Sequence, residues 1–469
     1  MTIRVYNSYT RKKEDFKPIS DKKVRMFVCG PTVYDFSHLG HARTYVAYDV
    51  IARWLRYRGF DLFYLMNITD IDDKIIKRAR EKNEDPLKLA RRFEESFFQD
   101  IASLQINTID VYARASEHIP DIIDQIERLI EKGFAYITQT GVYFDVSKFE
   151  DYGKLSHQDP EELKRHRIEP DPSKRNKQDF SLWKMRKEGE PYWNSPWGEG
   201  RPGWHIEDTA IAEKYLGQQY DIHGGGVDLI FPHHEAEIAQ MESISGKKPM
   251  VRYWLHTGFL KVEGKKMAKS LGNFITIQDA LKRYDLEALR LFFSSTHYRS
   301  PIDFYEKKIE QAKTSLEALY ETINSIRRSV KSMGDLTEDE KALERMMEES
   351  RRRFGEAMDD DFNTPLALSC LFDLAKDVNK LFDTQKSINK RLADDLINTF
   401  RELGGIIGIL QKEEIKEELP EELRLLIEER ERARERKDWK TADEIRKRLE
   451  EFGIILEDTP QGVKWKKKI

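Results

Sequence analysis

The stretch between residues 24 and 68 constrains this chain more than any other. VRMFVCGPTVYDF, residues 24–36, begins as a short apolar run and breaks at Gly30-Pro31. From Ala42 the pattern changes, and Ala47, Val50, Ile51, Trp54 and Leu55 recur at helical spacing until Gly59 closes the helix. Leu62 to Ile68, LFYLMNI, reads as the next buried strand. Strand, turn, helix and strand in such close succession make a βαβ unit, which requires a parallel sheet. In sheets of this kind the turn after the first strand is where nucleotides bind.

The expected fold class is α/β, a Rossmann-like parallel-sheet domain followed by an α-helical bundle and a small C-terminal α+β unit. Residues from about 110 to 200 read as an insertion, with polar helices and then a Pro- and Trp-dotted stretch. Strand character returns at Tyr220-Asp221-Ile222-His223 and from Trp254 to Leu260. From about 305 to 410 the chain is helix-forming, with Leu366, Leu368, Leu371, Leu374 and Ala375 at helical spacing, which suggests a bundle. The charged run 412–420 reads as a linker. Beyond it come one helix from Pro420, another around Trp439 to Phe452, and a strand pair through Ile454 and Val463. The domains are therefore expected at 1–305, 306–411 and 420–469, with no internal repeat.

Composition removes several classes. Two cysteines in 469 residues, Cys29 and Cys370, cannot build a disulfide framework. No apolar run approaches the ~18 residues of a membrane span, and MTIRVYNSYTRKK lacks the apolar core of a signal peptide. A cytoplasmic protein, with no membrane partner, is expected. With Lys+Arg 80 against Asp+Glu 84 and a net charge of -4, the chain is not a globally basic nucleic-acid binder. Any RNA contact must come from a local patch, and no DNA partner is expected.

Two short motifs carry chemistry. His38-Leu39-Gly40-His41 stands where the strand-ending turn meets the helix. A helix N-terminus favours anions through its backbone N–H groups and dipole. Gly40 lets a phosphate approach the backbone, and the imidazoles can stabilise charge developing on an α-phosphate. A pair of capping or packing histidines is the plainer alternative. Lys266-Met267-Ala268-Lys269-Ser270, followed by Leu271-Gly272-Asn273, places two lysines on a glycine-flanked loop that can neutralise a leaving pyrophosphate. Alone it would read as a solvated lysine turn. In this order along the chain, the two resemble the signature motifs of class I aminoacyl-tRNA synthetases. A third group is metal-like: His233 and Glu237 lie one helical turn apart after Pro232, and with Cys29 they offer donors that suit zinc. Singly, Cys29 reads as a small buried hydrophobe and His233-His234-Glu235 as a polar helix start.

Longer segments sharpen the resemblance. FVCGPTVYD (27–35), NITDIDDK (67–74), GWHIE (203–207), DIHGGGVDLIFPHHE (221–235), DDDFNTP (359–365) and KDWKTAD (437–443) are similar to signature segments of cysteinyl-tRNA synthetases, spread over essentially the whole chain. The resemblance implies a ligase that activates L-cysteine with ATP and Mg2+ and transfers it to tRNA(Cys); a monomer is expected. It implies His38, His41, Lys266 and Lys269 as catalytic residues and Gly30, Thr32, Gly40, His41 and Lys269 as ATP contacts. It implies a cysteine pocket of Cys29, Thr69, Trp204, His223 and Asp228, one zinc ion on Cys29, Asp208, His233 and Glu237, and anticodon contacts from Arg434, Trp439, Asp443 and Asp458. Two positions depart from the family. Asp208 stands where the family has cysteine, which keeps the charge but exchanges a soft donor for a hard one. Ala268 stands where the family has serine. Ligases that join cysteine to an amino sugar share the catalytic motifs, but KDWKTAD and the basic end from Lys464 to Lys468 argue for tRNA. A non-enzymatic RNA-binding paralogue would be expected to lose HxGH or the two lysines, and neither is lost.

Overall fold

The computed structural model describes residues 2–157, 171–267, 272–331, 334–412, 421–459 and 462–467. The chain divides into two compact units, Met1–Gln411 and Lys412–Ile469.

The first unit is built on a five-stranded sheet of β1 (Lys23–Val28), β2 (Asp61–Ile68), β3 (Val111–Arg114), β4 (Tyr220–Gly226) and β5 (Val251–Thr257). Their spatial order is β5-β4-β1-β2-β3, and every pairing is parallel. Side chains alternate between two cores, as a strand buried on both faces demands. Val24, Met26 and Val28 of β1, with Tyr64 and Met66 of β2, join the core under α1 (Leu39–Tyr57). Phe27 and Leu65 face the opposite core, beneath α2 (Trp204–Leu216) and α3 (Glu235–Ser245). The connection from β1 through α1 to β2 is the βαβ unit expected from sequence.

After β3 the chain leaves the sheet. A helix, Ile119–Glu131, is followed by a four-stranded antiparallel sheet of Ala135–Ile137, Gly141–Phe144, Phe180–Met185 and Gly200–Pro202, paired in chain order. The sequence suggested helices and an irregular stretch here. These strands are short and interrupted by loops rich in Pro, Gly and Trp, so no period-two pattern runs long enough to be read.

Four helices follow: α4 (Glu306–Arg328), α5 (Glu338–Asp359), α6 (Thr364–Thr384) and α7 (Lys390–Ile407). Leu368, Leu371, Leu374 and Ala375 bury one face of α6, whereas Leu366 is 48% exposed and lies off that face. Arg290, on the helix Leu286–Ser294 that precedes the bundle, forms an ion pair with Asp49 of α1, and both are inaccessible to solvent. Asp49 also accepts from Arg53 Nε and from Thr108 Oγ1, each at 2.8 Å. Arg290 donates to the carbonyls of Ile407 and Leu104, each at 3.0 Å. One guanidinium thus links α1, the end of α7 and the turn at Leu104.

The second unit has α8 (Glu421–Glu435), α9 (Trp439–Glu451) and an antiparallel hairpin, Ile454–Thr459 with Gly462–Lys467. Its small core is Ile427, Ile445, Leu449, Ile454 and Leu456. Among the described residues no helix is long and apolar enough to cross a membrane.

Removing one member of a fully buried ion pair leaves an uncompensated charge. Arg290→Met is therefore expected to lower stability by about 3–5 kcal/mol, read as a lowered urea midpoint. A loss under about 1 kcal/mol, the worth of an exposed pair, would mean that Arg53 and Thr108 suffice for Asp49.

Candidate active site

Strand order reverses between β1 and β4, so the crevice outside their carboxyl ends is where this topology places ligands. Cys29 follows β1 directly, and Gly224, Gly225 and Gly226 end β4. Gly30 passes so near β2 that a Cβ there would lie 1.8 Å from the carbonyl oxygen of Asn67. The cleft formed here has a volume of ≈ 350 Å³ and is lined by Cys29, Gly30, Thr32, His38, Gly40, His41, Thr69, Trp204, Asp208, Asp228 and His233, among others. Residues named from five separated sequence segments thus meet on one surface.

The two histidines of HLGH do cap the helix, and the manner of capping sets their chemistry. His38 Nδ1 accepts from the N–H groups of Gly40 (3.1 Å) and His41 (3.4 Å), and His41 Nδ1 accepts from the N–H of His38 (3.3 Å). Because each Nδ1 accepts, the proton of each neutral ring lies on Nε2. The rings stack with centroids 3.9 Å apart. Burial, then the neighbouring His38 and Lys74, hold His41 well below the usual histidine range, so it is a neutral hydrogen-bond donor. Gly40 has a steric reason as well: a Cβ there would meet the His38 ring at 2.8 Å.

Behind this pair lies a buried set of metal-type donors. α2 carries Trp204, Glu207 and Asp208 in its first turns, while His233 and Glu237 flank the start of α3. One donor atom from each of Cys29, Asp208, His233 and Glu237 lies within 4.8 Å of the others. Cys29 Sγ is 3.5 Å from Asp208 Oδ2, and His233 Nε2 is 2.9 Å from both Asp208 Oδ2 and Glu237 Oε1. A second set, Cys29, His223, His234 and Glu237, satisfies the same condition. There Cys29 Sγ lies 3.2 Å from His234 Nε2 and 3.5 Å from His223 Nε2.

The two sets differ in access. Cys29, Asp208 and His233 line the cleft, whereas His223 and His234 do not. His223 is bound behind by Tyr220 Oη at 2.7 Å, and His234 by His256 at 2.8 Å, which in turn meets Ser8 Oγ at 2.8 Å. Of the donors that distinguish the two sets, only Asp208 and His233 open toward a ligand. The first set also fits a cation. Both oxygens of Glu237 are buried without a well-aligned hydrogen bond, although imidazole nitrogens stand 2.9 and 3.3 Å away. Burial opposes a charge on His233, yet Glu237 and Asp208 outweigh it and raise its pKa to about 10. Burial, then Asp208 and Glu237, push the Cys29 thiol up. Two carboxylates and a thiol crowded together out of water are the environment that a divalent cation relieves.

Several supporting residues escaped the sequence reading of roles. Asn67 donates to Asp208 Oδ1 at 2.5 Å and accepts from Gly30 N at 2.6 Å, fixing the carboxylate against β1. His205 Nδ1 lies 2.8 Å from His233 Nδ1 and so orients that ring. Thr69 Oγ1 donates to Glu207 at 2.5 Å. Asn67 and Glu207 belong to the quoted segments NITDIDDK and GWHIE, so the signal was present; what each one touches was not. Lys269 lies outside the described residues, as does the side chain of Lys266, whose backbone forms the short strand Lys265–Lys266.

In the second unit, Arg434 stands near the end of α8, Trp439 opens α9, and Asp443 follows one turn later on the same face. Trp439 is 58% exposed and lies outside the core of this unit. Asp458 belongs to the strand Ile454–Thr459, but its side chain lies outside the described residues.

A parallel sheet whose first helix starts in HLGH, with KMAKS further along the chain, defines the catalytic architecture of class I tRNA synthetases. The family model for the class I (C) catalytic domain matches residues 15–314. A DALR domain model matches 353–411, and the model of the cysteinyl-tRNA ligase anticodon binding domain matches 416–465. Cysteine–tRNA ligase of Thermococcus gammatolerans is 50% identical over 475 residues, covering 100% of this chain and 99% of its own. The proteins of that name from Pyrococcus abyssi and Methanococcus maripaludis are 51% and 49% identical, covering 100% and 99% of this chain and 99% of their own. This chain belongs to the cysteinyl-tRNA ligase family. Among solved structures, the methionyl-tRNA synthetase of Mycobacterium tuberculosis in complex with methionyl-adenylate superposes with a TM-score of 0.63 at 18% identity, covering 82% of this chain and 90% of that one, which shows the shared fold.

The geometry predicts which donors hold a metal. Purified Cys29→Ala and Asp208→Ala should each lose most of the divalent metal bound per chain, while His234→Ala should retain it. Retention in Asp208→Ala with loss in His234→Ala would assign the inner set instead.

Proposed function

We propose that this protein is a cysteine–tRNA ligase that forms cysteinyl-adenylate from L-cysteine and ATP and transfers the cysteinyl group to tRNA(Cys). One observation carries the reading: a buried set of Cys, Asp, His and Glu donors that could hold a metal and a capped, anion-favouring helix start open into the same cleft. Family membership over the full chain supports it.

Cys29, Asp208, His233 and Glu237 would hold zinc, which supplies a Lewis acid with a much higher preference for a thiolate than for an alcohol. Shape alone discriminates poorly between near-isosteres such as cysteine and serine. Thr69, Trp204 and Asp228 line the cleft around the cluster and would hold the rest of the amino acid, with His223 bracing Cys29 from behind. ATP, with Mg2+ on its phosphates, would lie over Gly30, Thr32 and the start of α1.

The cysteine carboxylate then attacks the α-phosphate. The N-terminal dipole of α1 and the Nε2–H groups of His38 and His41 favour the charge that builds there. Lys266 and Lys269 would neutralise the departing pyrophosphate. The adenylate passes its acyl group to the terminal ribose of the tRNA, whose anticodon is read by the second unit. There exposed Trp439 can stack a splayed base while Asp443, Arg434 and Asp458 bond its edge.

Wild-type protein is expected to catalyse cysteine-dependent, serine-independent ATP–pyrophosphate exchange. Deleting residues 421–469 should leave that exchange largely intact while severely reducing charging of tRNA(Cys). Equal loss of both would show that the second unit supports the fold. Lys269→Ala should slow exchange by ~10²-fold with cysteine KM nearly unchanged, the effect of losing one transition-state contact. A large rise in KM with unchanged turnover would contradict the phosphate assignment.

A further inference from the structure

The cleft holds one more cation, the last residue of the segment NITDIDDK, which carries no assigned role so far. Lys74 is the second residue of the helix Asp73–Lys82, and its N–H donates to Asp72 Oδ1 at 2.8 Å, which fixes the start of that helix. Its ammonium stands 5.7 Å from the ring centroid of Tyr34 and 5.7 Å from that of Trp204. Lys74, Tyr34 and Trp204 all line the same cleft as His41. On the metal side, Trp204 stacks on His233 with centroids 4.3 Å apart. Lys74 thus shares the cleft wall with His41 and meets, through Trp204, the side that carries the donor cluster.

Of the nearby anions, Asp73 is engaged by other cations, while Asp72 is turned to cap the helix and feels the charge of Lys74 without pairing with it. Asp73 accepts from Lys184 at 2.6 Å and from Arg201 at 2.5 Å. Among the described residues no carboxylate forms an ion pair with Lys74. A cation held over aromatic faces and facing a cleft is held in place without being neutralised. Its field reaches the histidine pair, where it helps keep His41 uncharged.

We propose that Lys74 is a catalytic residue of cysteine activation, contacting the carboxylate and α-phosphate oxygens as they join; this rests on the ligase reading above. In that step a carboxylate oxygen forms a bond to the α-phosphorus. The bond from that phosphorus to the bridging oxygen breaks, and its electron pair leaves with pyrophosphate. No proton is transferred, so the step calls for a fixed positive charge and not for an acid or a base. His38 and His41 are neutral donors, and Lys266 and Lys269 are assigned to the leaving group. Lys74 is the cation available on the attacking side, and it is carried on a helix.

The test uses full-length protein bearing Lys74→Met or Lys74→Arg, assayed by ATP–pyrophosphate exchange, with thermal unfolding alongside. Lys74→Met should lower kcat by ~10²-fold, as for removal of one transition-state contact, with cysteine KM changed less than about threefold. Lys74→Arg should recover at least about tenfold of that loss, because the charge is kept. The unfolding temperature should not move, since Lys74 is exposed. Exchange by Lys74→Met within about threefold of wild type would overturn the proposal. So would a rise in KM at unchanged kcat, which would make Lys74 a support for Trp204. Wild-type protein without cysteine-dependent exchange would overturn the ligase reading and the role of Lys74 with it; active wild type beside equally active Lys74→Met overturns the role alone.

Discussion

Four ionisable groups are buried together at the carboxyl ends of β1 and β4, and much else in the first unit serves to hold them there. Cys29, Asp208, His233 and Glu237 are all buried, and an isolated buried charge is costly enough to change its protonation state. The structure answers by mutual pairing and by a further layer of fixed partners. Asn67 holds Asp208, His205 holds His233, and Tyr220 and His256 hold the imidazoles behind. Such a layer fixes which atom each ligand presents, and the accuracy of a metal site depends on it. The same partners fix the mouth of the cleft, because Asn67 also bonds Gly30 at the turn that leaves β1.

The start of α1 works on a different physical basis. Its anion preference comes from backbone N–H groups and the helix dipole, while His38 and His41 contribute as neutral rings. Burial keeps His41 uncharged, and the reciprocal cap puts the ring protons on Nε2. The cleft therefore meets a phosphate with oriented dipoles already in place, which cost no reorganisation as charge develops. Preorganisation of this kind needs a rigid base. α1 has one, packed on the sheet and anchored through Asp49 to Arg290.

Much of the catalytic fold was legible in the sequence because it rests on local signals. The apolar run of β1, the Gly-Pro break and the period of α1 are short-range patterns, and they imply a parallel sheet by chain geometry alone. The antiparallel sheet of the insertion was not legible. Its strands are few residues long, and its pairing joins segments as far apart as Val142 and Trp183. The exposure of Leu366 on α6 was missed for a related reason, since helical spacing shows that apolar residues share a stripe but not which neighbour covers it.

The sequence by itself offered HLGH, Cys29 and the i, i+4 pair of His233 and Glu237 from order and spacing, whereas Asp208 joined the metal set only through the resemblance to cysteinyl-tRNA synthetases. The same resemblance, and not spacing, marks Asp208 as a hard donor of equal charge where the family has a soft one. Only the tertiary structure decided that Cys29 sits between two competing donor sets, and that the set with Asp208 and His233 is the one facing the cleft. It alone showed that the two histidines of HLGH are at once helix caps and lining residues, and it brought Lys74 to the same wall. The physical reason is range. Spacing along a helix or strand fixes neighbours within a turn or two, whereas a buried cluster drawn from β1, β2, α2 and α3 exists only once distant strands have paired and burial has set which groups keep their charge.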